Sequence, residues 1–136
     1  MLATGNVKVT DLLSVDHPPI PEGAHAMTQI VELPPADQGL GPHRHSGPVF
    51  GYVLTGRMLF ELEGQEPVEI AAGEAFWEPG GDVIHYQAVN LEAHEWTRFL
   101  AVCICAPGVE MITMVEADEI VARDSLRHPS VRQYGE

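Results

Sequence analysis

Two stretches decide how this chain is read: GPHRHSGPVFGYVLTG at 41–56 and GEAFWEPGGDVIHYQAVN at 73–90. The first has a Gly/Pro-rich approach, then His43 and His45 one residue apart, then VFGYVLTG, rich in β-branched and aromatic residues and closed by Gly56. In extended chain, residues i and i+2 share a face, so the two imidazoles project together, close enough to grip one ion. Neutral imidazole suits Zn, Fe, Ni and Cu, with bonds of about 2.0–2.2 Å. Two ligands do not make a site. His85 is the best third, because it follows the turn EPGGDVI and opens the next β run.

Reading outward, AHAMTQIVEL (24–33) alternates loosely as a strand and stops at Pro34-Pro35. RMLFELEG reads as the hairpin partner of VFGYVLTG, with Met58, Phe60 and Leu62 on one face and Leu59, Glu61 and Glu63 on the other. Turns at Gly64–Pro67 and Ala72–Glu74 enclose VEIA, and EAFWEP, HYQAVN, TRFLAVCICA and EMITMV supply further strands. The fold class expected is all-β, a sandwich or barrel. Asp118 is placed to cap a short helix through EIVARDSL, Pro129 discourages its continuation, and SVRQYGE reads as an irregular tail. One domain is expected: an N-terminal arm over 1–22, packing on its own or a neighbouring subunit, a barrel over 23–116, and a helix with its tail over 117–136.

Composition narrows the function. The chain has 136 residues, 7 Lys+Arg against 20 Asp+Glu and a net charge of −13. Phosphate backbones and anionic membranes repel such a surface, so nucleic-acid and membrane partners are not expected. No apolar run is long enough to span a bilayer, and MLATGNVKVTDLL lacks the basic and apolar regions of a signal peptide, which points to the cytoplasm. Cys103 and Cys105, in LAVCICAPG, share a strand face too far apart for a relaxed disulfide and read as small buried hydrophobes. His17 and His128 read as solvated side chains.

In that frame the two stretches resemble the paired motifs of the cupin superfamily, over roughly residues 24–105. His43 and His45 match the first two histidine ligands, His85 the third, and Gly56 the glycine closing the first motif; Gly73, Pro79 and Asn90 match landmarks of the second. The resemblance implies a double-stranded β-helix, or jelly-roll barrel, with one divalent transition metal (Zn, Fe, Mn, Ni or Cu) in a cavity between the sheets. It also implies a small-molecule ligand and a homodimer. Two departures stand out. The position of the family's glutamate ligand holds Val49, which cannot bind a metal, and the Pro79-to-His85 segment is one residue longer than the common form.

Three neutral imidazoles would leave a divalent ion its full +2 charge, favouring anionic enolate or phenolate ligands. Gln87 and Glu78 are the candidates for a fourth ligand or for a partner orienting an imidazole, with Glu61, His25 and His94 further possibilities. Phe50, Tyr52 and Trp77 are expected in the substrate pocket, and Arg98 as an anion contact; Arg44, between the two ligands, should point away from the metal. The catalytic residues are not assigned. The function expected is a metal-dependent enzyme on a small apolar or aromatic oxygenated molecule, dioxygenase-like. The alternatives are a redox-neutral Zn-type cyclase, lyase or isomerase, and a non-catalytic ligand-binding protein organised by the metal.

Overall fold

The computed structural model describes residues 2–134. Eleven strands form in chain order: β1 (Leu2–Thr4), β2 (Val7–Val9), β3 (His25–Leu33), β4 (His43–His45), β5 (Val49–Thr55), β6 (Arg57–Leu62), β7 (Val68–Ala71), β8 (Ala75–Glu78), β9 (His85–Asn90), β10 (Thr97–Cys105) and β11 (Ile112–Met114). Among the described residues, β1 and β2 pair only with each other. The rest make two antiparallel sheets, one of four strands in the order β3-β10-β5-β8 and one of five in the order β11-β4-β9-β6-β7. The strand set expected from the sequence is present, together with β1 and β2. HRH is not merely the lead-in to a strand but a strand itself, paired with β11 and β9.

Alternation explains the packing. Along β5, Val49, Gly51 and Val53 are buried and the residues between them are not. Leu33, Val53, Met58, Phe60, Leu62, Ile70 and Phe76 meet between the sheets as the main core. Val49, Ala101, Cys103 and Cys105 form a second cluster beside it. Both cysteines are free and buried, in the apolar role their surroundings suggested.

One sequence expectation fails here. β5 and β6 do not form a hairpin: β5 pairs with β10 and β8, whereas β6 pairs with β7 and β9. Gly56, at φ +83°, turns the chain from one sheet into the other, and a Cβ there would overlap the Thr97 side chain. Two strong β runs joined by one glycine look the same in sequence whether the corner folds a hairpin or changes sheets. Asn90 ties this end of the barrel together: its amide nitrogen donates to the carbonyls of Leu33, Pro34 and Glu95, and its carbonyl oxygen accepts from Thr97 at 2.7 Å and Glu92 at 2.9 Å.

At the C-terminus, the helix α1 covers Ala117–Ala122 and begins from Glu116, whose side chain makes no capping bond. Asp118 is therefore not the cap; it lies inside the first turn and accepts from Glu119 N. The tail is more ordered than expected, with a 3₁₀ turn at Pro129–Val131 and the Asp124 carboxylate accepting from Gln133 N and Tyr134 N. Residues 135–136 of SVRQYGE lie outside the described residues.

Candidate metal centre

His43 and His85 are direct cross-strand partners on β4 and β9, and His45 follows His43 at i+2. The ring centroids of His43 lie 5.0 Å from His45 and 4.8 Å from His85, and one nitrogen from each of the three rings falls within 4.8 Å of the others. The backbone sets two tautomers. His43 Nδ1 sits 2.7 Å from the carbonyl of Gly41, and His85 Nε2 sits 2.8 Å from the carbonyl of Gln87. A carbonyl only accepts, so those nitrogens carry the protons, leaving His43 Nε2 and His85 Nδ1 as bare lone pairs. His45 Nδ1 and His85 Nδ1 are buried without a hydrogen-bond partner among the described residues.

Glu78, on β8 of the opposite sheet, borders the cluster beside His45 and His85. It is 4% exposed; its Oε1 lies 3.5 Å from His45 Nε2 and its Oε2 3.3 Å from His85 Nδ1. These are not ion pairs in the metal-free chain. Burial, with the neighbouring His43, lowers His45 to about 4; burial, with His43 and His45, lowers His85 to about 3. Burial also lowers His43 and pushes Glu78 up to about 8. Near neutral pH the rings are neutral and the carboxyl holds its proton for want of a counter-charge. A divalent ion satisfies both requirements, since neutral imidazoles have lone pairs to give and a buried carboxylate needs a cation. The donor set, three imidazole nitrogens, fits a transition metal.

The cluster opens on a cavity of about 100 Å³ between the sheets. Besides the histidines and Glu78, its wall is almost wholly apolar, with Val31, Leu33, Leu40, Phe60, Phe76 and Phe99 prominent and Gln29 the one neutral amide. No Lys or Arg lines it among the described residues. Cys103 belongs to the wall, and burial pushes its thiol up to about 11, so it stays protonated.

Several expected site residues lie elsewhere. Phe50, Tyr52 and Trp77 face away from the cavity: Phe50 pairs with Trp77 across the β5–β8 ladder, the rings stacked 6.0 Å apart, while their neighbours Val49, Phe76 and Glu78 line the interior. The strand period of two puts chemistry and surface on adjacent residues, and the aromatics chosen were one position off. Arg98 is also on the outside, 3.0 Å from Glu32 and 47% exposed. Gln87 is not a fourth ligand. An irregularity in the β6–β9 ladder pairs Leu62 with His85 but Glu61 with Gln87, so the extra residue Tyr86 reverses the alternation. The Gln87 amide donates to Glu61 at 2.7 Å, and only its backbone carbonyl serves the centre.

Glu61 is held by Arg127 at 2.7 and 2.9 Å, and His25 and His94 are exposed, so none of the three belongs to the cluster. Arg44 points away from the histidines, to Glu119 at 2.7 Å. Phe60 was missed as a wall residue, although its place between Met58 and Leu62 on one face of β6 signalled burial.

The fold and these two motifs place the protein among the double-stranded β-helix barrels. A family model described as Cupin domain matches residues 29–103, and the chain belongs to the cupin family. Among curated protein sequences, none matches it. Solved structures carry the same fold. A conserved protein with a double-stranded β-helix domain from Klebsiella pneumoniae is 18% identical at a TM-score of 0.53, covering 67% of this chain and 75% of that one. A cupin-2 domain protein from Rhodospirillum rubrum is 15% identical at 0.56, covering 71% and 61%. A structure from a study of two DMSP lyases is 17% identical at 0.55, covering 67% of this chain and 44% of that one. At these identities the likeness is one of fold.

Proposed function

We propose that the protein is a metal-dependent enzyme acting on a small, largely apolar, oxygenated molecule, with dioxygenase-like chemistry. The observation that carries this reading is the union of three neutral imidazoles, two of them with unpartnered buried nitrogens, and a small cavity whose remaining wall is apolar and free of Lys and Arg. An enolate or phenolate oxygen entering that space finds no guanidinium or ammonium to balance it, so the ion held by His43, His45 and His85 is its only cationic partner. When bound, the ion supplies Lewis-acid polarisation and, if redox-active, access to O₂ chemistry.

The chain's own contribution is placement. Phe60, Phe76 and Phe99, their rings tilted 53° and 78° to one another in turn, give an apolar wall that excludes water, which strengthens every electrostatic interaction inside. The carbonyls of Gly41 and Gln87 fix the ring orientations of His43 and His85.

Oxygen uptake tests the reading. Protein loaded in turn with Fe(II), Mn(II), Ni(II), Cu(II) or Zn(II) is offered small enols and catechols. Uptake with a redox-active ion, lost in His85→Ala, is the expected result. No uptake with any ion, while Zn-loaded protein still binds enolates, would replace it with redox-neutral cyclase, lyase or isomerase chemistry, or with plain ligand binding.

The proposal includes a homodimer. The arm is exposed throughout residues 5–14 and presents Val7, Val9, Leu12 and Leu13, with Ile20 beyond, to solvent, and the outer face of the four-stranded sheet presents Ile30 beside Phe50, Tyr52 and Trp77. A second copy covering both surfaces removes that apolar area from water, and light scattering reads the mass. The cytoplasm fits the two free cysteines. Among the described residues, no helix is long and apolar enough to cross a membrane.

A further inference from the structure

We propose that Glu78 supplies the carboxylate that Val49 lacks, so that the ion is bound by three imidazoles and the Glu78 carboxylate delivered from the neighbouring strand. This rests on the three-histidine reading above and adds to it.

Register is the first support. Val49 and Glu78 are Cα partners in the β5–β8 ladder. Side chains directly opposite in an antiparallel pair share a face with Cβ atoms about 4.5–5.5 Å apart. A carboxylate moved across that one rung still faces the same cavity, and both residues line it. The small Val49 leaves the space that the longer Glu78 side chain uses.

Lone-pair geometry is the second. With its Nε2 proton committed to the Gln87 carbonyl, His85 presents a bare Nδ1 to Glu78 Oε2 at 3.3 Å, and His45 Nε2 stands 3.5 Å from Oε1. A carboxylate facing the bare His85 Nδ1 needs a proton or a cation between them. Two ligands each about 2.0–2.2 Å from one ion, at angles between 90° and tetrahedral, stand about 3.0–3.5 Å apart. The observed separations, one to each oxygen of the carboxylate, fall in that range and are long for charge-assisted hydrogen bonds.

Isolation is the third. Among the described residues, no Lys or Arg lies within 4.0 Å of the Glu78 carboxylate, although it is almost fully buried. Buried carboxylates are ordinarily paired or bound to metal. With Glu78 on the ion, the centre carries +1, not the +2 that the valine at position 49 suggested.

Metal-stripped protein titrated with Zn(II) against a chromophoric chelator tests this, using the native chain, Glu78→Gln, Val49→Glu/Glu78→Val and His85→Ala. Glu78→Gln is nearly isosteric, and its amide can donate to His85 Nδ1, so the fold is retained; circular dichroism verifies it. We expect Glu78→Gln to weaken Zn(II) by about 10- to 100-fold or more. The double variant should recover to within about threefold of the native chain, because the carboxylate returns to the same face. Azide should bind more tightly to Co(II)-loaded Glu78→Gln than to the native protein, as the site charge rises.

Native Zn(II) affinity in Glu78→Gln, with binding lost in His85→Ala, would overturn the role of Glu78 and leave the three-histidine centre standing. A native chain that binds no divalent ion would overturn both.

Discussion

The two sheets that enclose the cavity are built on different principles. The five-stranded sheet carries the imidazoles and is braced from behind by the C-terminal segment. Arg44 on β4 reaches Glu119 of α1, Arg123 bonds Glu63 and Asp82, and Arg127 grips the fully buried Glu61 while lying 4.2 Å over the Tyr86 ring. Each ion pair lands on a strand that holds a ligand, next to one, or on the turn before His85. Among the described residues, the four-stranded sheet has no such brace. Where it lines the cavity it is apolar except for Glu78 and Gln29, and its outer face carries aromatic and aliphatic side chains with the exposed Arg98–Glu32 pair. The imidazoles are fixed where polar bracing is dense, and most of the cavity wall is made where it is sparse.

The largest expected break in this contrast comes from the imidazoles. His43→Ala or His85→Ala should abolish measurable metal binding, whereas His17→Ala and His128→Ala leave it unchanged, as metal analysis after dialysis will show. Next comes the brace. Arg127→Ala leaves Glu61 buried without its cation and should cost about 3–5 kcal/mol, measured by urea unfolding. The exposed Arg98→Ala on the other sheet should cost less than about 1 kcal/mol. Equal losses at the two sites would erase the distinction between braced and unbraced sheets.

A third test is the pH dependence of the metal-free protein. Folded Glu78 titrates at about 8, above its ordinary 4.5, so across that window the folded chain keeps a proton the unfolded chain has released. Stability therefore falls as pH rises. His45 and His85, at about 4 and about 3 in the folded chain, act the other way below 6.5, where the unfolded chain takes up protons the folded one refuses. Together they place the optimum near pH 6.5. Between there and pH 8 the native chain should lose about 2 kcal/mol that Glu78→Gln retains. Identical slopes in the two proteins would show that Glu78 does not carry its proton in the folded state. The smallest effect belongs to the outer face: Trp77→Ala should leave Zn(II) affinity within about twofold, the range of ordinary surface changes.

How much of this was legible in the sequence follows the same division. The histidines were, because H-x-H in a strand has one geometric meaning and His85 opens a strand after a Gly/Pro turn. The barrel was, because its strands are short, alternating and separated by turn residues. The Gly56 corner was not, since nothing local distinguishes a hairpin from a change of sheet when the deciding contact, Thr97, lies about forty residues away.

Facing was recoverable but missed. A motif position meant for a ligand must point inward, so Val49 inward already puts Phe50 and Tyr52 outward. Trp77 follows, once it is known to stand opposite Phe50. Gln87 defeated the same logic through the irregularity at Tyr86, which no pattern announces. Glu78 was legible as a carboxylate near the site. Its place opposite Val49 is a matter of register, which only the folded ladder fixes.

Crystals soaked with Zn(II) and measured on either side of the zinc absorption edge test the central claim most directly. The account predicts one anomalous peak per chain, within bonding distance of a nitrogen from each of His43, His45 and His85 and of a Glu78 oxygen. A peak elsewhere, or a fully occupied ion that Glu78 does not touch, would contradict it.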